Sequence, residues 1–260
     1  MNPPDIQTAT SSLPQRRRNP WAVATLRLAY RFQRNWFAIF LILTGAFVAG
    51  AWSAPVLMSA GWTGAGKGVY TVYSFFCHQL PQRSFFVLGP SPSLSLEEVR
   101  SIWSDTNDPS ILRQFVGNEQ VGYKVAWSDR MVSMYTSIPL AALLWWPFRR
   151  RLHPFSVWTF LLLILPMTVD GLTHVVSDLA GIGEGFRDTN VWLAALTGRS
   201  FPSSFYAGDA LGSFNSWMRL ITGVFFGIGL VGLAFPHLHS SFADSAEQIE
   251  NKFARAELPL

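Results

Sequence analysis

The sequence predicts an all-α membrane protein, a bundle of about four transmembrane helices with a short interfacial helix and helical outer loops. Three observations predict it. Apolar residues make up 49% of the 260-residue chain and charged residues only 14%, against about 25% charged in an average soluble protein. Four stretches approach the roughly 20 apolar residues that a helix needs to cross about 30 Å of hydrocarbon. The arginines cluster beside those stretches instead of spreading over a surface.

The first stretch, Trp36 to Ala60 (WFAIFLILTGAFVAGAWSAPVLMSA), carries no charge. The second, Met131 to Phe148, is short and also uncharged. The third starts at Phe155, meets Asp170 after FSVWTFLLLILPMTV, and is taken to end near residue 176. The fourth, Trp217 to Pro236, carries Arg219 near its start. The predicted organisation is a basic cytoplasmic tail and juxtamembrane segment over 1–34, a transmembrane domain over 35–237, and a charged tail helix over 238–260. The spans are 36–60, 131–148, 155–176 and 217–236. Met1 to about Pro20 reads as a disordered tail from its Pro, Ser, Thr, Gln and Arg content.

Orientation follows from the basic residues. Arg16, Arg17, Arg18, Arg27, Arg31 and Arg34 precede the first stretch, and Arg149, Arg150 and Arg151 fill the gap between the second and third. Basic residues collect on the cytoplasmic side, so an even number of spans places both termini in the cytoplasm of a cell-membrane protein. The same placement argues against reading the formal charge of +4 as a nucleic-acid surface. The single cysteine, Cys77, excludes an intrachain disulfide and a four-cysteine zinc site.

Two long segments then face outward. Gly61 to Arg130 holds a Gly-rich start, an aromatic run and two expected short helices. One begins at Ser95 with Glu98 in capping-box spacing. The other has Asp108 as N-cap, Pro109 in its first turn and Gly117 as its C-cap. Within YSFFCHQLPQRSFF, a short helix dipping into the interface and stopping at Pro81 is expected. The second segment, Val175 to Phe214, contains VWLAAL, an expected short helix. Small residues four apart, Ala46 and Gly50, Gly223 and Gly227, predict close helix packing within the bundle.

Ionisable groups at membrane depth are expensive, and topology gathers them at one level. Asp170 is late in an outward-going helix and Arg219 early in an inward-going one, so an ion pair between them is one complete explanation of both. His174 lies four residues after Asp170 and Asn215 four before Arg219, each pair on one helix face. Cys77, His78, Arg83 and Arg130 fall at the same level. Arg83, Arg130, Asp170, Asn215 and Arg219 are therefore candidate binding residues. Cys77 and His78 are candidate catalytic residues, and Cys77, His78, Asp170 and His174 are candidate ligands for a transition metal such as zinc.

At these residues the chain resembles the prokaryotic membrane proteins grouped as domain of unknown function 2085 (DUF2085). The resemblance rests on Cys77-His78-Gln79 running into Arg83-Ser84-Phe85, on Pro166 to Gly171, and on Asn215, Arg219, Thr222 and Gly223, and covers about Tyr70 to Gly232. The family's Cys-x-Arg-Cys segment is matched by AWSDRMVSMYT, which keeps Arg130 and has neither cysteine, so a zinc or disulfide role built on that motif does not carry over. The resemblance implies a multi-pass membrane protein and transfers no activity. The residues favour a polar cluster at the extracytoplasmic leaflet of the lipid bilayer that binds a small ligand, lipid headgroup or ion. The alternative is a membrane-embedded enzyme, possibly metal-dependent, acting on a lipid-linked or lipid-soluble substrate.

Overall fold

The computed structural model describes residues 20–260, so the tail expected before Pro20 lies outside the described residues. Among the described residues four helices are long and apolar enough to cross a membrane: α1 (Pro20–Ser59) and, further along the chain, three more. The order after α1 is α2 (Thr63–Tyr73), β1 (Ser84–Val87), α3 (Leu96–Ile102), α4 (Pro109–Leu112), β2 (Gly117–Asn118) and β3 (Gly122–Ser128). Then come α5 (Asp129–Phe148), α6 (Val157–Asp178), α7 (Phe186–Thr189), α8 (Val191–Leu196), α9 (Ser203–Tyr206) and α10 (Phe214–Arg255). The spans of the multi-pass bundle are α1, α5, α6 and α10.

Two corrections concern helix ends. α1 begins at Pro20, well before Trp36, and α10 runs unbroken through Pro236 to Arg255, so the tail helix expected over 238–260 is a continuation of the last span. The chain divides into two compact units, Phe37–Ser240 and a smaller one of Met1–Trp36 with Ser241–Leu260. In the described part of the smaller unit, Phe32 and Trp36 pack on Phe242. There Tyr30 donates to Glu250 at 2.6 Å and Ala246, Ile249 and Phe253 are buried.

Within the larger unit, small residues set the spacing of α5 and α10. A Cβ on Gly223 would stand 2.3 Å from Ser133 Oγ, and one on Gly227 2.1 Å from Ser137 Oγ. Ser133 Oγ in turn donates to the Leu220 carbonyl and Ser137 Oγ to that of Gly223, at 2.5 and 3.1 Å. The expected close packing of Gly223 and Gly227 is therefore between spans of one bundle. Gly50 serves α1 likewise: Tyr73 lies against it and donates to the Phe47 carbonyl at 2.6 Å.

The capping signals hold where they start helices. Ser95 and Glu98 form a reciprocal capping box, and Asp108 accepts from Ser110 N at 2.7 Å. Gly117 does not cap that second helix, which ends at Leu112. It opens β2 with φ +105°, and a Cβ there would meet the Gly122 carbonyl at 2.0 Å, so only glycine fits this close strand crossing. The interfacial helix also differs from expectation. α2 stops at Tyr73, and residues 74–80 are irregular, with Gln79 left-handed at φ 55°.

The segment between α2 and α5 contains an antiparallel sheet of order β1-β3-β2 that the sequence pattern did not predict. The sheet matters for position. It pairs Ser84 with Ser128, so Arg83, just before β1, comes level with Asp129 and Arg130, which open α5.

Candidate functional site

The start of α5, the end of α6 and the start of α10 meet at one end of the bundle, and their charges interlock there. Arg219 donates through Nε to Asp129 at 2.7 Å, through Nη1 to Asp209 Oδ1 at 2.7 Å and through Nη2 to the Asp209 carbonyl at 2.6 Å. Arg83 binds Asp178 with both terminal nitrogens, at 2.7 and 2.8 Å, and Asp209 with Nε at 2.6 Å. Asp170 accepts from Arg130 at 2.7 Å and from Arg187 at 2.5 Å. The expected Asp170–Arg219 ion pair is thus absent: each group has other partners, and His174 stands between them.

His174 Nε2 lies 3.3 Å from Arg219 Nη1, which can only donate, and Nδ1 lies 3.0 Å from the Asp170 carbonyl. Nδ1 also lies 3.6 Å from Asp170 Oδ1 and Nε2 3.5 Å from Asp209 Oδ1, so the ring sits between the two carboxylates. The Asp170–His174 spacing read as a shared helix face is borne out, and Asp178 extends that face by one more turn. Asn215 is fully buried, and its amide donates to the carbonyls of Arg187 and Gly208 at 2.7 and 2.9 Å. It fastens the α6–α10 connection and does not reach the pocket described below.

The network balances. Four guanidiniums, those of Arg83, Arg130, Arg187 and Arg219, face the carboxylates of Asp129, Asp170, Asp178 and Asp209. Buried charge is tolerated only when its partners offset the lost hydration. Asp209 illustrates this: burial alone would push its carboxyl up, but the Arg83 and Arg219 guanidiniums hold it well below the usual carboxylate range.

A pocket of about 260 Å³ opens on this network. His78, Arg83, Arg130, His174, Asp178 and Arg219 supply its polar wall, and Met131, Gly171 and Val175 an apolar rim. Gly171 leaves room for Arg130, whose Nη1 would lie 2.9 Å from a Cβ at that position. Of the sequence-derived candidates, His78, Arg83, Arg130, His174 and Arg219 come together here, with Asp170 directly behind Arg130.

Cys77 does not join them. It is buried with Ala54, Met58, Tyr73 and Trp127 in an apolar cluster, and its sulfur accepts from the backbone N–H groups of Gln79 and Ser128 at 3.3 and 3.2 Å. His78 turns the other way. Its ring is open along the pocket, and Nδ1 accepts from Leu80 N at 3.0 Å. The surrounding protein, and then the Arg83 and Arg219 charges, push its imidazole down to about 3. It is neutral at ordinary pH, with the proton on Nε2. Among the described residues no three His, Cys, Asp or Glu side chains gather as a metal ion would require, and the four candidate ligands Cys77, His78, Asp170 and His174 do not converge.

A residue missed in the sequence holds the Cys-His-Gln loop. Lys124, fully buried in β3, donates to the carbonyls of Gln79 and Arg113, both at 2.7 Å. The Gln79 amide adds bonds to the Tyr70 and Ala126 carbonyls at 2.8 and 3.0 Å. Burial first, then Arg113, pushes the Lys124 amine down to about 7. Between about pH 7 and the unfolded-state value near 10.4, the unfolded chain therefore binds the extra proton, and stability rises with pH across that window. Thermal unfolding in detergent is expected to show this rise, and Lys124→Met to flatten it; an equal slope in both proteins would remove Lys124 as its source.

A family model described as a predicted membrane protein (DUF2085) matches residues 120–233, somewhat under half of the chain. That stretch is similar to the DUF2085 family. It contains Asp129, Arg130, Asp170, His174, Arg187, Asp209 and Arg219, so most of the charge network lies inside the DUF2085 match, whereas Cys77, His78 and Arg83 precede it. An uncharacterized protein of Methanocaldococcus jannaschii is 26% identical over 163 residues, which is 60% of this chain and 80% of that one. No solved structure matches. The DUF2085 match and four apolar helices make this a multi-pass membrane protein.

Proposed function

We propose that this membrane protein binds an anionic group, a phosphate or carboxylate of a lipid headgroup or small solute, in the pocket at the charged end of the bundle. We further propose that this end lies at the extracytoplasmic leaflet of the cell membrane, with both termini cytoplasmic. The arginines before Trp36 and at 149–151, at the other end of the spans, support that orientation.

One observation carries the binding reading: the hydrogen-bonding groups left over in the pocket are donors. The Asp178 oxygens are taken by Arg83. His78 Nδ1 is taken by Leu80, which leaves Nε2–H. Arg130 spends Nη2 on Asp170, and its other guanidinium nitrogens have no hydrogen-bond partner among the described residues. Guanidinium donors in a fixed fork suit oxyanions. The apolar rim of Met131 and Val175 suits a group that arrives from lipid. An enzymatic reading through Cys77 and His78 draws no support from the geometry, because the thiol and the imidazole face opposite sides.

The test is calorimetric titration of the detergent-purified chain with inorganic phosphate and with glycerol 1-phosphate. Saturable binding is expected, weakened about tenfold or more in Arg130→Gln, the loss of a charge-assisted contact. Binding unchanged by that substitution, or none in the wild type, would retire the reading.

A further inference from the structure

At the end of the bundle opposite the charge network, α5 and α6 are joined by a turn that carries Arg149, Arg150 and Arg151. Arg150 and Arg151 are exposed. Arg149 lies over the Trp146 ring at 4.0 Å and donates to the Trp146 carbonyl at 2.7 Å, and its Nε has no partner. Among the described residues no carboxylate lies within ion-pair distance of any of the three. This contrasts with the other end of the same bundle, where every arginine of the network meets an aspartate.

Directly beside this turn is a groove of about 280 Å³. Its apolar lining includes Ala141, Leu144 and Trp145 of α5, Leu152 of the turn, and Ile228 and Val231 of α10. His153 stands at the same groove, two residues beyond Arg151. The turn is pinned there: Phe155 N donates to the Gly232 carbonyl at 2.9 Å, and the Phe155 ring lies so close that a Cβ on Gly232 would stand 2.3 Å from it. Leu144 and Trp145 precede the last residue of α5, Phe148, by three or four positions. At 1.5 Å per residue they sit about 4.5–6 Å below the helix end, within one helical turn of the arginines. Leu144 and Ile228 are exposed on faces that lipid surrounds.

We propose that the α5–α6 turn and this groove form a binding site for an anionic phospholipid. One acyl chain lies in the groove and the phosphate rests on the arginines. The positive-inside pattern accounts for arginines on that face. It does not account for a pinned apolar groove at the foot of three unneutralised guanidiniums, an arrangement complementary in both shape and charge to a lipid with a negative headgroup. The site is separate from the pocket at the other end, and neither proposal depends on the other.

Native mass spectrometry of the full chain, released from mixed micelles of phosphatidylglycerol and phosphatidylcholine, tests it. The wild type is expected to retain one phosphatidylglycerol in preference to phosphatidylcholine, and the double variant Arg150→Gln/Arg151→Gln to lose that preference about tenfold. Ala141→Phe, which fills the groove and leaves the arginines, is expected to lose it as well. Leu144→Trp, at the lipid-facing rim, serves the same purpose should Ala141→Phe not fold. Selectivity that survives filling of the groove but not removal of the arginines would mean surface charge alone, and overturns the site. Equal retention of both lipids by the wild type overturns it too.

Discussion

Arg219→Gln is expected to destabilise the bundle more than any other single change at the charged end. Arg219 makes three donations, to Asp129, to Asp209 and to the Asp209 backbone, and is almost fully buried. Removing one partner of a buried ionic network leaves uncompensated carboxylates, a loss of about 3–5 kcal/mol. Lysine is not expected to rescue, because a single ammonium cannot reach three acceptors arranged for a planar fork. The double variant Arg219→Gln/Asp129→Asn is expected to recover part of the loss, since it removes one stranded charge. Thermal unfolding in detergent, read with the monodisperse fraction on size exclusion, measures all three. An Arg219→Gln protein that melts with the wild type would show that the network is dispensable.

Gly227→Leu should be comparably damaging for a different reason. The Cβ alone would stand 2.1 Å from Ser137 Oγ and 2.8 Å from its Cβ, so α5 and α10 must separate. In lipid, helix association rests on close packing more than on the hydrophobic effect, and overpacking of this degree costs about 3 kcal/mol or more. Gly45 supplies the control on α1, where a Cβ would find nothing within 4 Å. Gly45→Leu is expected to melt with the wild type and Gly227→Leu to lose most of its folded fraction. Equal behaviour of the two would contradict the close α5–α10 contact.

The spans were legible because lipid imposes a plain pattern, an apolar run about 20 residues long with at most one charge. Their outer limits were less so. α1 and α10 extend beyond the apolar stretch, at Pro20–Asn35 and Ser240–Arg255, where helix propensity and pairing of the two segments replace burial in lipid. The sheet was missed although GYKVAWS is rich in strand-forming residues and bounded by Gly117 and Gly122. Its alternation is hidden because β3 is buried on both faces, which erases the polar period.

The charge network was half legible. Depth alone brought Asp170, His174 and Arg219 to one level, and Asp178 continues their helix face at the next i+4 position. Arg187 and Asp209 left no signal, since they sit among the short helices and turns, rich in Gly and Ser, that join α6 to α10. Knowing them changes the chemistry: with them, Asp170 and Arg219 no longer need each other. The Cys77-His78 pair misled because neighbouring side chains diverge here, Cys77 into the apolar cluster and His78 onto the pocket wall.

The central claim is that the charge network and the Arg149–Arg151 turn lie on opposite faces of a bilayer, the network outward. Cys77 is the sole native cysteine and is buried, so single cysteines introduced elsewhere report cleanly on exposure to a membrane-impermeant maleimide. Asp105→Cys, on the loop beside the network end, is expected to react in intact spheroplasts, and Arg150→Cys only after the membrane is permeabilised. Labelling of residue 150 from outside, or of residue 105 only from within, would contradict the account.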